Sequence, residues 1–190
     1  METTATPASV DDLVQAAARG VRLKYVHFWG HTPAAPGVLG AECLSQWAPT
    51  PFTVGTVSFA TAEHYMMWRK ALLFDDSDAA DRVLRAGHPK QAKAIGQGVL
   101  GFDEDVWTAN RTAIVTEGNV AKFGQHPELS SYLVGTGSRV LVEASPMDRI
   151  WGIGLAATDE RVASPEQWRG LNLLGFTLMR ARDILRADGC

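Results

Sequence analysis

Apolar and polar positions change period several times along the chain, and each change marks an element. Ser9 caps a short helix expected over Val10–Arg19, which Gly20 stops. Val21, Leu23 and Tyr25 then alternate with Arg22 and Lys24, a period of two that predicts a strand over Val21–Phe28. A loop rich in Pro and Gly runs from Trp29 to about Gly40. Phe52–Val54 and Thr56–Phe59 flank Gly55 as a small hairpin. It delivers the chain into Phe59–Phe74, where neither Gly nor Pro interrupts a helical pattern and Thr61 is the expected N-cap. Apolar side chains fall on nearly every face of that helix, so it is expected to be buried all round.

Short, punctuated helices follow. Ser77 is the expected cap of Asp78–Ala86, and Gly87 its end. Pro89 fits the first turn of a helix over Lys90–Gly98. Asp103 caps a long helix from Glu104 to about Phe123, and Pro127 opens another that Gly135 closes. Arg139–Ala144 reads as a strand, and Ser145–Gly154 as a loop. Ser164 to Gln167 has the form of a capping box. Asn172 is the expected cap of a final helix with Leu174, Leu178, Ala181 and Leu185 as its apolar stripe. Helices dominate, and the few short strands do not alternate with them as a parallel sheet requires. The expected fold is a helix-rich α+β domain over 21–190. An N-terminal extension, 1–20, carries the first helix, and residues 1–8 are expected to be disordered.

Composition narrows the function. A chain of 190 residues, 46% hydrophobic and 21% charged, suits one globular domain. A net charge of −3 offers no general pull toward nucleic acid. Cys43 and Cys190 lack metal-ligand spacing, which points to a reducing cytoplasm. No signal peptide or membrane-spanning run is visible. The five histidines show no metal spacing, and Gly152-Ile153-Gly154 lacks the third glycine of a dinucleotide site, so neither metal nor cofactor is expected.

The candidate chemistry starts with Glu63 and Lys70 on the central helix. Seven residues is two turns, so they project from one face about 10 Å apart. Charge in so apolar a setting is costly unless paired or used. Glu63 then serves as acid, base or electrostatic stabiliser and Lys70 as a tuned amine, against the plainer reading of a structural ion network. His64 points about 100° away from Glu63, and Arg69 faces away from Lys70 toward an acid or a helix end. Outside the helix, Glu143 ends a strand and Asp148 precedes Trp151 in a glycine-bearing loop. Trp29, Trp47, Trp151 and Trp168 lie in or beside loops, where a ring plugs the domain's end or stacks on a base. Buried carboxylates, an amine and aromatic plates suit cleavage of a glycosylamine bond, which builds an oxocarbenium-like cation, or attack by a neutral lysine on a sugar aldehyde.

Thr61-Ala-Glu-His-Tyr65 with Lys70, Leu141-Val-Glu143, Asp148 with Trp151-Gly152, and Asn172-Leu-Leu-Gly175 with Met179 and Arg182 resemble the NADAR domain, also called YbiA-like, over roughly 24–186. The resemblance implies an N-glycosidase. Its small-molecule substrate is a ribosylated aminopyrimidine of the riboflavin pathway or, alternatively, ADP-ribosylated guanine of a nucleic acid. A non-catalytic ADP-ribose reader is the other alternative. It also implies Glu63, Lys70 and Asp148 as catalytic residues, with Trp107 or Trp151 stacking on the base. Phe28, Gly30, Ser45, Trp47, Gly152 and Asn172 join the binding set. Gln46 stands where the family usually has Asn, and the loop from Gly30 to Gly40 is longer and richer in proline than the common form.

Overall fold

The computed structural model describes residues 6–33, 35 and 37–189. Its helices are α1 (Val10–Ala18), α2 (Ala62–Leu73), α3 (Ser77–Leu84), α4 (Pro89–Gln97), α5 (Glu104–Gly124), α6 (Pro127–Gly135) and α7 (Leu173–Ala187). The strands are β1 (Tyr25–Phe28), β2 (Phe52–Val54), β3 (Val57–Phe59) and β4 (Val140–Glu143). Short 3-10 turns cover Ala41–Leu44, Glu160–Ala163 and Pro165–Gln167. The helix-rich α+β expectation holds.

Most helix starts follow the caps legible in the sequence. Ser9 and Asp12 form a full capping box on α1, while Thr61 and Asp103 accept backbone N–H groups of α2 and α5. Three starts differ. Asp76, not Ser77, caps α3, because its carboxylate reaches the amides of both Ala79 and Leu100 and ties the helix to the chain beyond α4. Ser164 makes no side-chain cap bond, and the chain there turns only as 3-10 structure. Asn172 sits at the start of α7 in the left-handed region (φ 52°), but its side chain turns to β4 instead of the helix.

Strand β1 is shorter than expected, since β4 supplies only four residues to pair with it. The two run parallel, Tyr25 opposite Val140 through Phe28 opposite Glu143. A parallel pair was not expected, because its strands come from distant parts of the chain instead of flanking one helix. β2 and β3 form the predicted antiparallel hairpin, turned at Gly55 (φ 59°).

The core forms where α2, α5 and α7 meet β4. Tyr65 of α2 is fully buried and closes an aromatic cluster with Phe52 and Phe59. It fits because α5 presents Gly118, where a Cβ would stand 2.5 Å from the ring. At Gly175 a Cβ would stand 2.0 Å from the Leu141 carbonyl oxygen, so only glycine lets α7 lie directly on β4. Leu141, Leu174 and Leu178 are almost wholly buried along that seam. Each such side chain contributes about 1.5–3 kcal/mol by leaving water. Leu13 of α1 is buried in the same core, so the N-terminal helix packs on the domain. Residues 1–5, part of the stretch expected to be disordered, lie outside the described residues. Thr6 and Ala8 of that stretch hydrogen-bond to Asp183 and Asp12.

Candidate active site

Both parallel strands end at the same edge of their pair, and the chain leaving each one brings chemistry there. β4 ends on Glu143. Its backbone is fixed from two sides: its amide donates to Asn172 Oδ1 (3.0 Å), and its carbonyl accepts from Ile153 (3.0 Å). The loop beyond turns on Asp148, whose Oδ1 accepts the amides of Ile150 (2.9 Å) and Trp151 (2.8 Å). Gly152 lets this loop close against the strand end, since a Cβ there would stand 2.9 Å from the Glu143 carbonyl oxygen and 3.1 Å from that of Asp148.

The first turn of α2 supplies Glu63, only 3% exposed. The loop after the Ala41–Leu44 turn supplies Trp47, whose side chain lies near enough to the Glu63 carboxyl to favour its ionised form. That loop is pinned from behind by α5. The fully buried Lys122 ammonium donates to the carbonyls of Cys43 (2.6 Å) and Ser45 (2.9 Å). Gln46 donates to Asn119 (3.0 Å). The Glu63 amide donates to the Gln46 carbonyl (2.9 Å), which locks loop and helix together. His31 and His88 stand beside Trp47, each with ring centroids 5.9 Å away.

The electrostatics are those of crowded, buried acids. Burial pushes the Glu63 carboxyl up to about 7; Lys93 and the Trp47 side chain pull against that, and Asp148 adds to it. Burial likewise pushes Glu143 up to about 8, helped by the charges of Asp148 and Glu63 and opposed by Lys93. Glu63 Oε1 and Glu143 Oε2 are buried with no hydrogen-bond partner among the described residues. Unpartnered buried oxygens are rare in finished protein interiors and mark a place where something else binds. Near neutral pH this cluster can hold a proton to give away beside a carboxylate that can receive one. Among the described residues no group of three or more His, Cys, Asp or Glu has the geometry of a metal site.

The structure thus brings Glu63, Asp148 and Trp47 together, and adds Glu143 and Lys93. In the sequence Glu143 stands out as an acid ending a strand and as part of the Leu141-Val-Glu143 resemblance, with no catalytic role attached. Lys93 carried no signal, being one lysine in a short polar helix. Lys70 is placed elsewhere. It shares a face of α2 with Glu63, but Met67, which stands between them on that face, is covered by Gly96 of α4. Its Nζ lies 4.1 Å from the Phe102 ring centroid and 5.5 Å from that of Trp107. Trp107, 7% exposed, therefore keeps company with Lys70 and not with the acids. Trp151 is half-buried and packs on the core beside Asp148.

Several expected binding residues have structural duties. Asn172 is fully buried, and its amide bridges Glu143 N and Leu141 O (2.9 Å), which positions Glu143. Phe28 is buried opposite Glu143. Ser45 Oγ accepts the Trp47 amide (3.1 Å), and Gly30 turns the chain at φ 75°. Gln46, the departure from the usual Asn, is spent on Asn119. His64 bonds Thr61 Oγ1 (2.8 Å) and Ala86 O (3.0 Å), and Arg69 pairs with Glu117, as their directions on the helix implied. A groove of about 880 Å³ between α5, α7 and Thr6–Ala8 has none of Glu63, Glu143 and Asp148 in its walls.

The NADAR domain model matches residues 27–186. The chain is 40% identical over 166 residues to the N-glycosidase R617 of Acanthamoeba polyphaga mimivirus, covering 84% of this chain and 95% of that one. It is 33% identical over 132 residues to the riboflavin biosynthesis protein PYRR of Zea mays, covering 66% of this chain but only 19% of that protein. The NMR structure of the Escherichia coli protein YbiA superposes with a TM-score of 0.70 at 25% identity over 87% of each chain. Every motif named above lies inside the matched span, and the chain belongs to the NADAR domain family.

Proposed function

We propose that this enzyme is an N-glycosidase that hydrolyses the bond between ribose and a heterocyclic amine. The observation that carries the reading is the pair Glu63 and Glu143, two carboxyls held protonated toward neutral pH at one strand edge, each with an oxygen facing no protein donor. A phosphoribosylamino-pyrimidine of riboflavin synthesis is the favoured substrate, supported by the likeness to PYRR. A reducing cytoplasm suits the free, buried Cys43.

In the reaction, a protonated carboxyl of the pair gives its proton to the glycosidic nitrogen. The C1′–N bond breaks, and its electron pair leaves with that nitrogen. Asp148 stabilises the positive charge that develops at C1′. Lys93, the amine whose charge acts on both Glu63 and Glu143, passes a proton to the vacated carboxylate, and its nitrogen adds to C1′. The adduct opens to an imine, and water releases the sugar and the free amine. Trp47, flanked by His31 and His88, forms the aromatic wall for the base, with Trp151 beside Asp148 as a second plate.

A turnover assay with a phosphoribosylamino-pyrimidine and with ADP-ribosylated guanine tests this. Release of the pyrimidine amine by wild type, lost in Glu63→Gln, is expected. Cleavage of the guanine adduct alone would move the substrate class. Tight ADP-ribose binding with no turnover of either would make the domain a reader.

A further inference from the structure

Four lysine and arginine side chains are at least nine-tenths buried: Lys70, Arg111, Lys122 and Arg182. Two of them are hydrogen-bonded to the protein. Lys122 holds the carbonyls of Cys43 and Ser45, and Arg182 holds Thr136 Oγ1 (2.9 Å) and Arg139 O (2.8 Å). Lys70 and Arg111 hold nothing. Neither donates a hydrogen bond to any described residue, although an ammonium and a guanidinium together carry eight N–H donors.

The two are linked through Trp107 and Glu104. Arg111 lies one turn beyond Trp107 on α5, and the Lys70 ammonium lies over the Trp107 ring. Both face Glu104: Arg111 at 3.8 Å, and Lys70 as the residue whose charge raises its amine against the stronger, lowering effect of burial. Glu104 is a poor substitute for a bound partner. Its side chain is 66% exposed, and 3.8 Å is beyond hydrogen-bonding reach. Two cations against one largely solvated carboxylate leave a net positive charge. None of their nitrogens is wholly shut off from solvent, so an anion can reach them from outside. Phe102, 42% exposed, forms the outer wall.

We propose that Lys70 and Arg111 form an oxyanion-binding site for a phosphate group. The planar guanidinium offers paired donors to two phosphate oxygens, and the ammonium adds a point charge. Trp107 and Phe102 form walls that keep bulk water away and strengthen both contacts. The site lies at the far end of α2 from Glu63 and does not depend on the glycosidase reading.

Inorganic phosphate and pyrophosphate are the probes, titrated into the full chain at pH 7 by calorimetry and by amide chemical shifts. Binding is expected, with shifts centred on Lys70, Phe102 and Arg111. Lys70→Met and Arg111→Met should each weaken it by about tenfold or more, the scale of one charge-assisted contact. Glu104→Gln, on the surface and safe for the fold, should tighten it, because it removes the competing carboxylate. No binding by wild type, or binding that ignores Glu104→Gln and both Met variants, overturns the site. Should the Met variants unfold, Glu104→Gln alone decides. Where turnover is measurable, phosphate that competes with substrate identifies the ligand as the substrate's own phosphate. Inhibition or activation without competition identifies a separate anion at the same residues. Either result supports the site.

Discussion

The two ends of α2 carry one buried charged residue each, and their surroundings are opposite. Glu63 sits among acids. The charge of Asp148 adds to the burial that raises both Glu63 and Glu143, Glu63 raises Glu143 further, and Lys93 partly relieves the crowding at both. Lys70 sits among rings, with Phe102 and Trp107 beside it and Glu104, which Arg111 also faces, at the edge. Helical spacing put both on one face, and α4 covers Met67 between them. The lesson is that a shared stripe on a helix gives direction but not company. What a buried charge can do is set by the element that packs over it.

The sharpest way to break this contrast is to remove charge from each end in turn. Glu63→Gln should lower kcat by about a hundredfold or more, the usual scale for one acid–base group, with the fold intact by circular dichroism. Lys70→Met should leave the bond-breaking step of bound substrate close to wild type in single-turnover kinetics. Equal losses of that step at both ends would mean one undivided site.

The amine can be located directly. Borohydride added during turnover should trap the sugar on Lys93, read by peptide mass spectrometry, and Lys93→Arg should abolish the adduct and most turnover. A trapped sugar on Lys70 would reverse the contrast drawn here.

Stability should follow pH in the sense set by the acid end. Glu63 and Glu143 have folded-state proton affinities raised from 4.5 to about 7 and about 8. The folded state therefore binds more protons than the unfolded chain between those values, and stability falls as pH rises through that window. Glu143→Gln cannot ionise, so the drop in Tm between pH 5 and pH 8 should shrink by a measurable margin. An unchanged slope would show that Glu143 ionises freely.

The smallest effect concerns the loop that feeds the acid end. Lys122→Met leaves the carbonyls of Cys43 and Ser45 without their donor, a cost of about 1–3 kcal/mol for each stranded group. Amide exchange at Ser45, Trp47 and Glu63 should quicken, while amides near Phe102 keep wild-type protection.

Much of this molecule is legible from the chain because the information is local. Thr61, Asp103, Pro89 and Pro127 announce helix starts through their own chemistry, and those starts stand. Glu63 was conspicuous because it interrupts apolar sequence. Lys93 was not, since a lysine among polar neighbours on a short helix looks like any solvated side chain. Asn172 was read as a local cap, and its real partners lie on β4, thirty-odd residues upstream. The β1–β4 pairing has no local signature at all. Where side chains answer to neighbours in sequence the chain can be read, and where they answer to distant backbone it cannot.

That pairing has a consequence for how the protein is made. Tyr25 cannot find Val140 until nearly all the intervening chain has emerged, and Glu143 is not held in place until Asn172 follows. Closing so long a loop is entropically slow. The helical middle packs α2 on α3, α4 and α5, all made before α7, and can order first, during synthesis. The acid cluster would then assemble last, in one step with the docking of α7. A nascent chain would carry much of its helical structure while still chemically silent, and catalytic competence would arrive as an all-or-none event once α7 has emerged.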